Sequence, residues 1–466
     1  MKISIENFKS IRQVHEFEIK PMTILSGVNS SGKSSLIQML LLIKQTLDKS
    51  STKEVLDIKG AFFQATNFQD IIHKKDQTTS LNFELILRKD EIKLPSILFE
   101  YDNVLLTAHF CMVDEKLCLS KFEVVLNSET QEITKKFSIT NTHPTKYLID
   151  ADSEFFGKNL MNKEIEANIE FVSIFPTNWK QVGVKKEDPE ISGVFTIGWL
   201  KDEIDKVFQS VFYIGPAREK PKEIYVSTTQ NEYVGINGQY AAQILHDQAN
   251  IAIDYYIIDE TKEGFNYDLK KADILTAANY WLCDYLQVGG KIFAKKHSDN
   301  FQIYLENDQG LAVNIRHVGY GISQVLPIII QGLLMPKNSI LIIEQPEIHL
   351  HPKLQSKLYD YLYCLTLQNK KVIVETHSSH FITRMRRRIA EDLSNEMDNK
   401  INMTFIENGL FRHLEFDDYG TLKNYHPKDF IEEPQGEYRA IIKAQMIKKK
   451  VKVDQVGELL TNQSLT

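Results

Sequence analysis

The sequence predicts an α/β fold, and three stretches predict it. The first is Gly27-Val28-Asn29-Ser30-Ser31-Gly32-Lys33-Ser34, which fits GxxxxGK(S/T) at every fixed position. It lies between the apolar run Met22-Thr23-Ile24-Leu25 and a helical pattern from Ser35 to Ile43, the strand, loop and helix context that such a loop requires. The second is a pair of unbroken apolar runs, Ser339-Ile340-Leu341-Ile342-Ile343-Glu344 and Lys371-Val372-Ile373-Val374-Glu375, of the kind found in strands covered on both faces. The third is a set of strand-length runs at 81–87, 104–112, 117–126 and 137–140, separated by charged or Asn/Asp-containing turns, which suggests an antiparallel meander.

The loop fixes a ligand class. Its glycines let backbone N–H groups curl around phosphates while the helix behind presents its positive end. Gly27, Asn29, Ser30, Ser31, Gly32, Lys33, Ser34 and Ser35 form the expected cradle of a nucleoside triphosphate. Lys33 reaches the β and γ phosphates, and Ser34 offers its hydroxyl to Mg²⁺.

Composition narrows the remaining classes. The chain has 466 residues, enough for roughly three domains or for one ATPase core with large insertions. A hydrophobic fraction of 42% and a charged fraction of 25% are ordinary for a globular protein. Net charge is −7, so no global basic field draws in nucleic acid and any such contact requires a local patch. Cys111, Cys118, Cys283 and Cys364 form no CxxC pair and no metal-spaced cluster, which reads as reduced thiols in the cytoplasm. Met1-Lys2-Ile3-Ser4-Ile5 alternates like a strand and does not read as a signal peptide. No run of 18 apolar residues is present, so no membrane span is expected.

In chain order, residues 1–30 read as two short strands feeding the phosphate loop and 34–48 as its helix. The meander follows, then a mixed stretch over 155–210, a helical pattern over 239–287 (most clearly 274–286) and strands near 291–316. No sustained heptads appear. The corresponding division is 1–80 and 206–430 as two halves of one ATPase body, 81–205 as a β-rich then mixed insertion, and 431–466 as a basic helical tail.

The order of phosphate loop, Val318-Gly319-Tyr320-Gly321-Ile322-Ser323-Gln324, Ile342-Ile343-Glu344-Gln345-Pro346-Glu347-Ile348-His349-Leu350-His351-Pro352 and Val372-Ile373-Val374-Glu375-Thr376-His377-Ser378 resembles the ABC-type ATPase heads of the SMC, RecF and overcoming-lysogenization-defect group. It is similar in particular to small standalone AAA-family ATPases of prokaryotic anti-phage defence modules. The resemblance covers roughly the first 75 residues and 205–430. It implies a mixed central sheet flanked by helices with an antiparallel β subdomain, and ATP with Mg²⁺ as ligands. It also implies a homodimer or larger even assembly, in which one subunit's loop and the other's signature segment sandwich the nucleotide.

Carried over by position, the resemblance makes Glu344 the magnesium acid and Lys9 an α-phosphate contact, unless Lys9 is only a solvated lysine. It places Gln69 at the glutamine that senses Mg²⁺ and water, with Gln64 or Asp70 as alternatives. Gly319-Tyr320-Gly321 supplies the signature turn, with Gly319 where a serine is usual and Ser323 as a substitute N-cap. Gln345 stands where such heads carry the glutamate that polarises water. An amide cannot accept a proton, so hydrolysis is expected to be slow or to use Glu347. His351 falls at the dimer-contacting aspartate and His377 at the switch histidine. Arg218, in Gly215-Pro216-Ala217-Arg218-Glu219, is either a nucleotide or subunit contact or part of a structural ion pair.

Two basic runs, Arg384 with Arg386, Arg387 and Arg388, and Lys443, Lys448, Lys449, Lys450 and Lys452, are either solvated faces or contacts to DNA phosphates. The span between the two halves is too short for an SMC coiled coil. From Ile401 to Thr466, with Glu407, Glu415, Asp417 and Asp418, too little chain remains for an appended nuclease domain. The expected function is therefore an ATP-dependent switch or scaffold for a separately encoded effector such as a nuclease. The competing reading is a RecF-like ATPase that clamps DNA. A transporter subunit is not favoured, because the insert and C-terminal features do not resemble a transporter head.

Overall fold

The computed structural model describes residues 1–48, 54–76, 78–94, 100–128, 134–143, 146–151, 165–181, 193–226, 233–260, 265–307, 309–424, 427 and 439–450. The order of elements begins β1 (Lys2–Phe8), β2 (Ile11–Glu18), β3 (Met22–Gly27) and α1 (Lys33–Asp48). It continues through β4 (Leu81–Arg88), β5 (Asn103–Val113), β6 (Lys116–Asn127), β7 (Thr134–His143), β8 (Lys146–Ala151), β9 (Ile165–Val172) and β10 (Phe175–Gln181) to α2 (Gly193–Gln209). Then come β11 (Val211–Ile214), β12 (Tyr225–Val226), α3 (Ala241–Asp247), β13 (Ala252–Glu260), β14 (Phe265–Asp273) and α4 (Ile274–Asn279), the last extended by a π-helical turn, Tyr280–Tyr285. β15 (Lys291–His297), β16 (Asn300–Glu306), β17 (Ala312–Asn314), α5 (Tyr320–Leu334), β18 (Ile340–Glu344), α6 (Pro352–Thr366), β19 (Lys371–Glu375), α7 (Ser379–Glu391), β20 (Ile401–Glu407) and β21 (Leu410–Leu414) follow, with a last helix, α8, over 439–450. Three strands rather than two precede the phosphate loop, because the Lys9-Ser10 turn, with Lys9 at φ 50°, splits the first apolar run.

Two compact units emerge: Met1–Ile19, Val28–Val211 and Ile406–Phe411 in one, and Lys20–Gly27, Phe212–Phe405 and Arg412–Thr466 in the other. The first is built on a nine-stranded sheet in the order β10-β9-β8-β7-β6-β5-β4-β1-β2. Alternation fixes its register. Ile3 pairs with Leu85, Leu85 with Leu106, Leu106 with Val124 and Val124 with Phe137, so one buried row crosses five strands. A second row runs Ile5, Phe83, Ala108, Phe122, Ile139 and Ile149. The four runs expected as strands are thus β4 to β7, and β8 to β10 prolong the same meander into the stretch read as mixed. Against this unit's core α1 is buried on nearly every side, and Lys44 Nζ donates to the Phe208 carbonyl of α2 at 2.9 Å.

The second unit centres on a six-stranded sheet, β11-β18-β19-β3-β20-β21. β18, β19 and β3 are parallel, and every residue of β18 and β3 is buried, including the polar Thr23 and Ser26 of β3, in keeping with strands covered on both faces. Glu344 pairs with Glu375 and Glu375 with Leu25, so three strands far apart in sequence end at one level. α5 and α6 pack closely, since a Cβ on Gly332 would lie 2.3 Å from Tyr361 Oη. The helical reading of 239–287 is corrected in its middle, where β13 and β14 form a separate antiparallel hairpin. Tyr255, Tyr256, Ile257 and Ile258 supply β-branched and aromatic side chains that favour strand, although their spacing also suits a helix. The longest described helix, α2, has 17 residues, and no helix of the structure is long and apolar enough to cross a membrane.

Candidate functional site

The phosphate loop keeps a conformation that only its composition permits. Gly27 and Gly32 stand at φ 144° and 112°, and Ser30 at 59°, positive φ values that favour glycine. A Cβ on Gly32 would meet Ser10 Oγ at 2.9 Å, and Ser10 Oγ shares a 2.9 Å hydrogen bond with Ser35 Oγ. Gly409 N–H donates to the Ser31 carbonyl at 3.1 Å. Lys33 is 4% exposed and its Nζ donates to the Val28 carbonyl at 2.6 Å, folding the cation over the loop. Asn29 and Ser30 are exposed at the tip.

Lys9 is no freely solvated lysine. It is half-buried, its Nζ donates to Gln38 Oε1 at 2.8 Å and lies 4.5 Å from the Phe63 ring centroid, and burial lowers its pKa. With Lys59, Gln64, Ala65, Thr66 and Asp70 it lines an open pocket of about 520 Å³. Gln69 sits in a one-turn 3₁₀ helix capped by Asn67 and Asp70 and is exposed; Gln64 and Asp70, not Gln69, line the pocket with Lys9.

Within the second unit, Glu344 ends β18 with 8% of its surface exposed. Tyr213 donates its hydroxyl to Glu344 Oε1 at 2.7 Å, and desolvation raises the carboxyl pKa. Gln345 follows at φ 45°, the left-handed region, and its N–H donates to the Glu375 carbonyl at 2.7 Å. Glu347 accepts from His377 N–H at 2.7 Å and from Thr376 Oγ1 at 2.9 Å, so its carboxylate braces the segment after β19; burial raises its pKa as well. His377 itself is exposed, just ahead of the Ser378 N-cap of α7.

The signature turn differs from expectation in one respect. Gly319 is the N-cap of α5, whereas Ser323 lies one turn inside and donates to the Tyr320 carbonyl at 2.7 Å, so it does not cap the helix. Gly321 leaves just room for the loop after β18: a Cβ there would contact the His349 carbonyl at 3.4 Å, and Tyr320 meets the His349 ring edge-on at 5.1 Å. His351 caps α6, accepting from Lys353 N–H at 3.4 Å.

The ion-pair reading of Arg218 is corrected. Its guanidinium is 6% exposed and donates to the carbonyls of Gly215, Glu344 and Gln345, not to a carboxylate. Of the α7 run, Arg384 and Arg388 are neither a solvated face nor open to DNA: they point inward to Asp360, with Nε–O distances of 2.8 and 2.7 Å, and both bond Glu260. Lys448 is also internal, donating to the Ile389 carbonyl and Asn395 Oδ1, while Lys443, Lys449 and Lys450 are exposed; Lys452 lies outside the described residues. Tyr213 was not singled out from sequence; a tyrosine 131 positions before its acid leaves no local signal.

A protein-family model described as an AAA ATPase domain matches residues 1–382. The chain belongs to the AAA ATPase domain family. No curated protein matches the sequence. Among solved structures, this AAA ATPase is similar to the SMC head domain from Thermotoga maritima, at 11% identity and TM-score 0.37 over 89% of this chain and 98% of that one. It is also similar to an SMC head bound to the C-winged helix domain of ScpA, at 11% identity and TM-score 0.41 over 88% and 95%. An SMC head with an extended coiled coil, bound to the C-terminal domain of ScpA from Pyrococcus furiosus, matches at 9% identity and TM-score 0.40 over 88% and 94%.

An AAA ATPase uses a nucleotide, and the residues present fit one. The loop offers glycine-rich backbone and a lysine of the kind that binds phosphates, and Ser34 is a hard oxygen donor of the type magnesium takes. The Tyr213 hydroxyl that bonds the buried Glu344 carboxyl is neutral, so a cation there would offset the desolvation that raises its pKa.

Proposed function

We propose that this AAA ATPase is a slow, ATP-operated switch. It works in the cytoplasm as a homodimer or larger even assembly and serves prokaryotic anti-phage defence by holding a separately encoded effector such as a nuclease. The observation that supports slowness is Gln345, an amide at the position after the magnesium acid, fixed in a left-handed backbone. A general base contributes roughly 10²- to 10⁴-fold, and an amide can orient water without taking its proton.

In this reading Lys33 and the loop N–H groups bind the β and γ phosphates. Ser34 and Glu344 hold Mg²⁺, which supplies charge neutralisation at the phosphate oxygens. Gln345 orients water. Glu347 holds the backbone of the exposed His377, whose role in this reading is to touch the γ-phosphate. The Gly319-to-Gly321 turn opens α5, whose N-terminus faces the nucleotide of the opposite protomer. A long-lived ATP state then keeps an effector in one conformation until triggered. The inward course of Arg384 and Arg388 weighs against the RecF-like alternative, because it removes two cations from any DNA face.

The test compares wild type with Lys33→Ala by Mg-ATP titration and by sedimentation with and without nucleotide. Wild type is expected to bind ATP and to associate further in it, and the variant to do neither. A variant that binds and associates like wild type would refute the switch.

A further inference from the structure

We propose that Arg218 is a positioning residue for hydrolysis, acting by locking the backbone of Gln345 so that its side-chain amide faces the attacking water. The inference rests on the reading of Gln345 given above.

The geometry is specific. Arg218 Nη1 donates to the Glu344 carbonyl at 3.1 Å and Nη2 to the Gln345 carbonyl at 2.8 Å, so one planar guanidinium grips the peptide oxygens on both sides of Gln345. Nη1 also bonds the Gly215 carbonyl at 3.2 Å. The remaining backbone donor, Gln345 N–H, is held by Glu375 at 2.7 Å. The backbone from which the Gln345 side chain projects is thereby fixed, at a φ of 45° that an L-residue does not choose unaided.

The grip is itself anchored. Gly215 N–H donates to Ile236 and Glu219 N–H to Asn237, both at 2.9 Å, and Gln324 of α5 donates its side-chain amide to the Glu219 carbonyl at 3.3 Å. The guanidinium is buried, and the Glu347 carboxylate favours its charge. An ammonium on a flexible stem cannot span three carbonyls in one plane.

The test uses the full chain, with Mg-ATP affinity from titration of a fluorescent ATP analogue and the chemical rate from single-turnover hydrolysis. Arg218→Lys is expected to keep affinity within about twofold and to lower the rate tenfold or more. In a Gln345→Ala background the same change is expected to alter the rate less than twofold, because the group it positions is gone. Arg218→Gln, which keeps a planar donor, serves if Arg218→Lys unfolds. A wild-type rate in both Arg218 variants, or an equal tenfold loss with Gln345→Ala present, overturns the proposal while leaving Gln345 in its role. A wild-type rate in Gln345→Ala alone overturns that role and the proposal with it.

Discussion

Gln345 combines an uncommon side chain for its position with an uncommon backbone, and both have measurable consequences. Gln345→Glu restores a proton acceptor at the same Cα and is expected to raise the single-turnover rate at least tenfold at unchanged ATP affinity, read by rapid quench. Lys370 gives a second residue-scale expectation. Its Nζ donates to the Gly332 carbonyl at 2.8 Å near the end of α5, and burial, with Lys337 adding repulsion, pushes its pKa down to about 7. The folded pKa lies below the unfolded value of about 10.4, so the unfolded chain binds more protons across that interval. Stability therefore rises with pH from about 7 to about 10. Lys370→Met should flatten that rise in urea unfolding at pH 7 and pH 9. At this scale the phosphate loop was legible because eight consecutive residues carry its chemistry. Arg218 was not, since its acceptors Glu344 and Gln345 lie 126 and 127 positions away and are backbone atoms without a residue-type signature.

Among elements, α7 shows how a charge run misleads. Arg384 and Arg388 are four apart and share one helical face, which a sequence reads as a basic stripe. In the fold that face meets Asp360 of α6, fully buried, and Glu260 at the end of β13. The two guanidinium groups hold the Asp360 carboxyl well below the usual carboxylate range, against the opposing effect of burial. Removing one partner of a buried network costs about 3–5 kcal/mol. Asp360→Asn is expected to lose that much in urea unfolding, and a change below about 1 kcal/mol would show that the arginines find other acceptors. The hairpin β13–β14 was missed for a related reason. Its apolar residues contact α6 and α5 in the fold, and those neighbours, not local spacing, select the strand. The meander's strand-length apolar runs are separated by charged or Asn/Asp-containing turns, and they were legible without knowledge of what covers them.

Across the whole molecule, the chain weaves twice between its two units, with Lys20–Gly27 and Ile406–Phe411 each joining a body remote in sequence. Length and composition give no hint of such crossings; Lys20–Gly27 joins through the pairing of β3 with β19, and Ile406–Phe411 bonds the loop through Gly409 N–H and the Ser31 carbonyl. The α/β class was legible from the apolar Met22–Leu25 and Ile340–Ile343 runs, and the family from the order of the phosphate loop and the segments around Gly319, Glu344 and His377. Ligand binding should report on the molecule as a unit. Mg-ATP at about a hundredfold excess over its Kd is expected to stabilise wild type by about 2.7 kcal/mol and Lys33→Ala by almost nothing, measured as the shift in urea midpoint. One short feature has reach beyond its size. Residues 215–219 clasp the end of β18 through Arg218 and the mouth of α5 through Gln324, so one five-residue stretch sets the position of both ends at once.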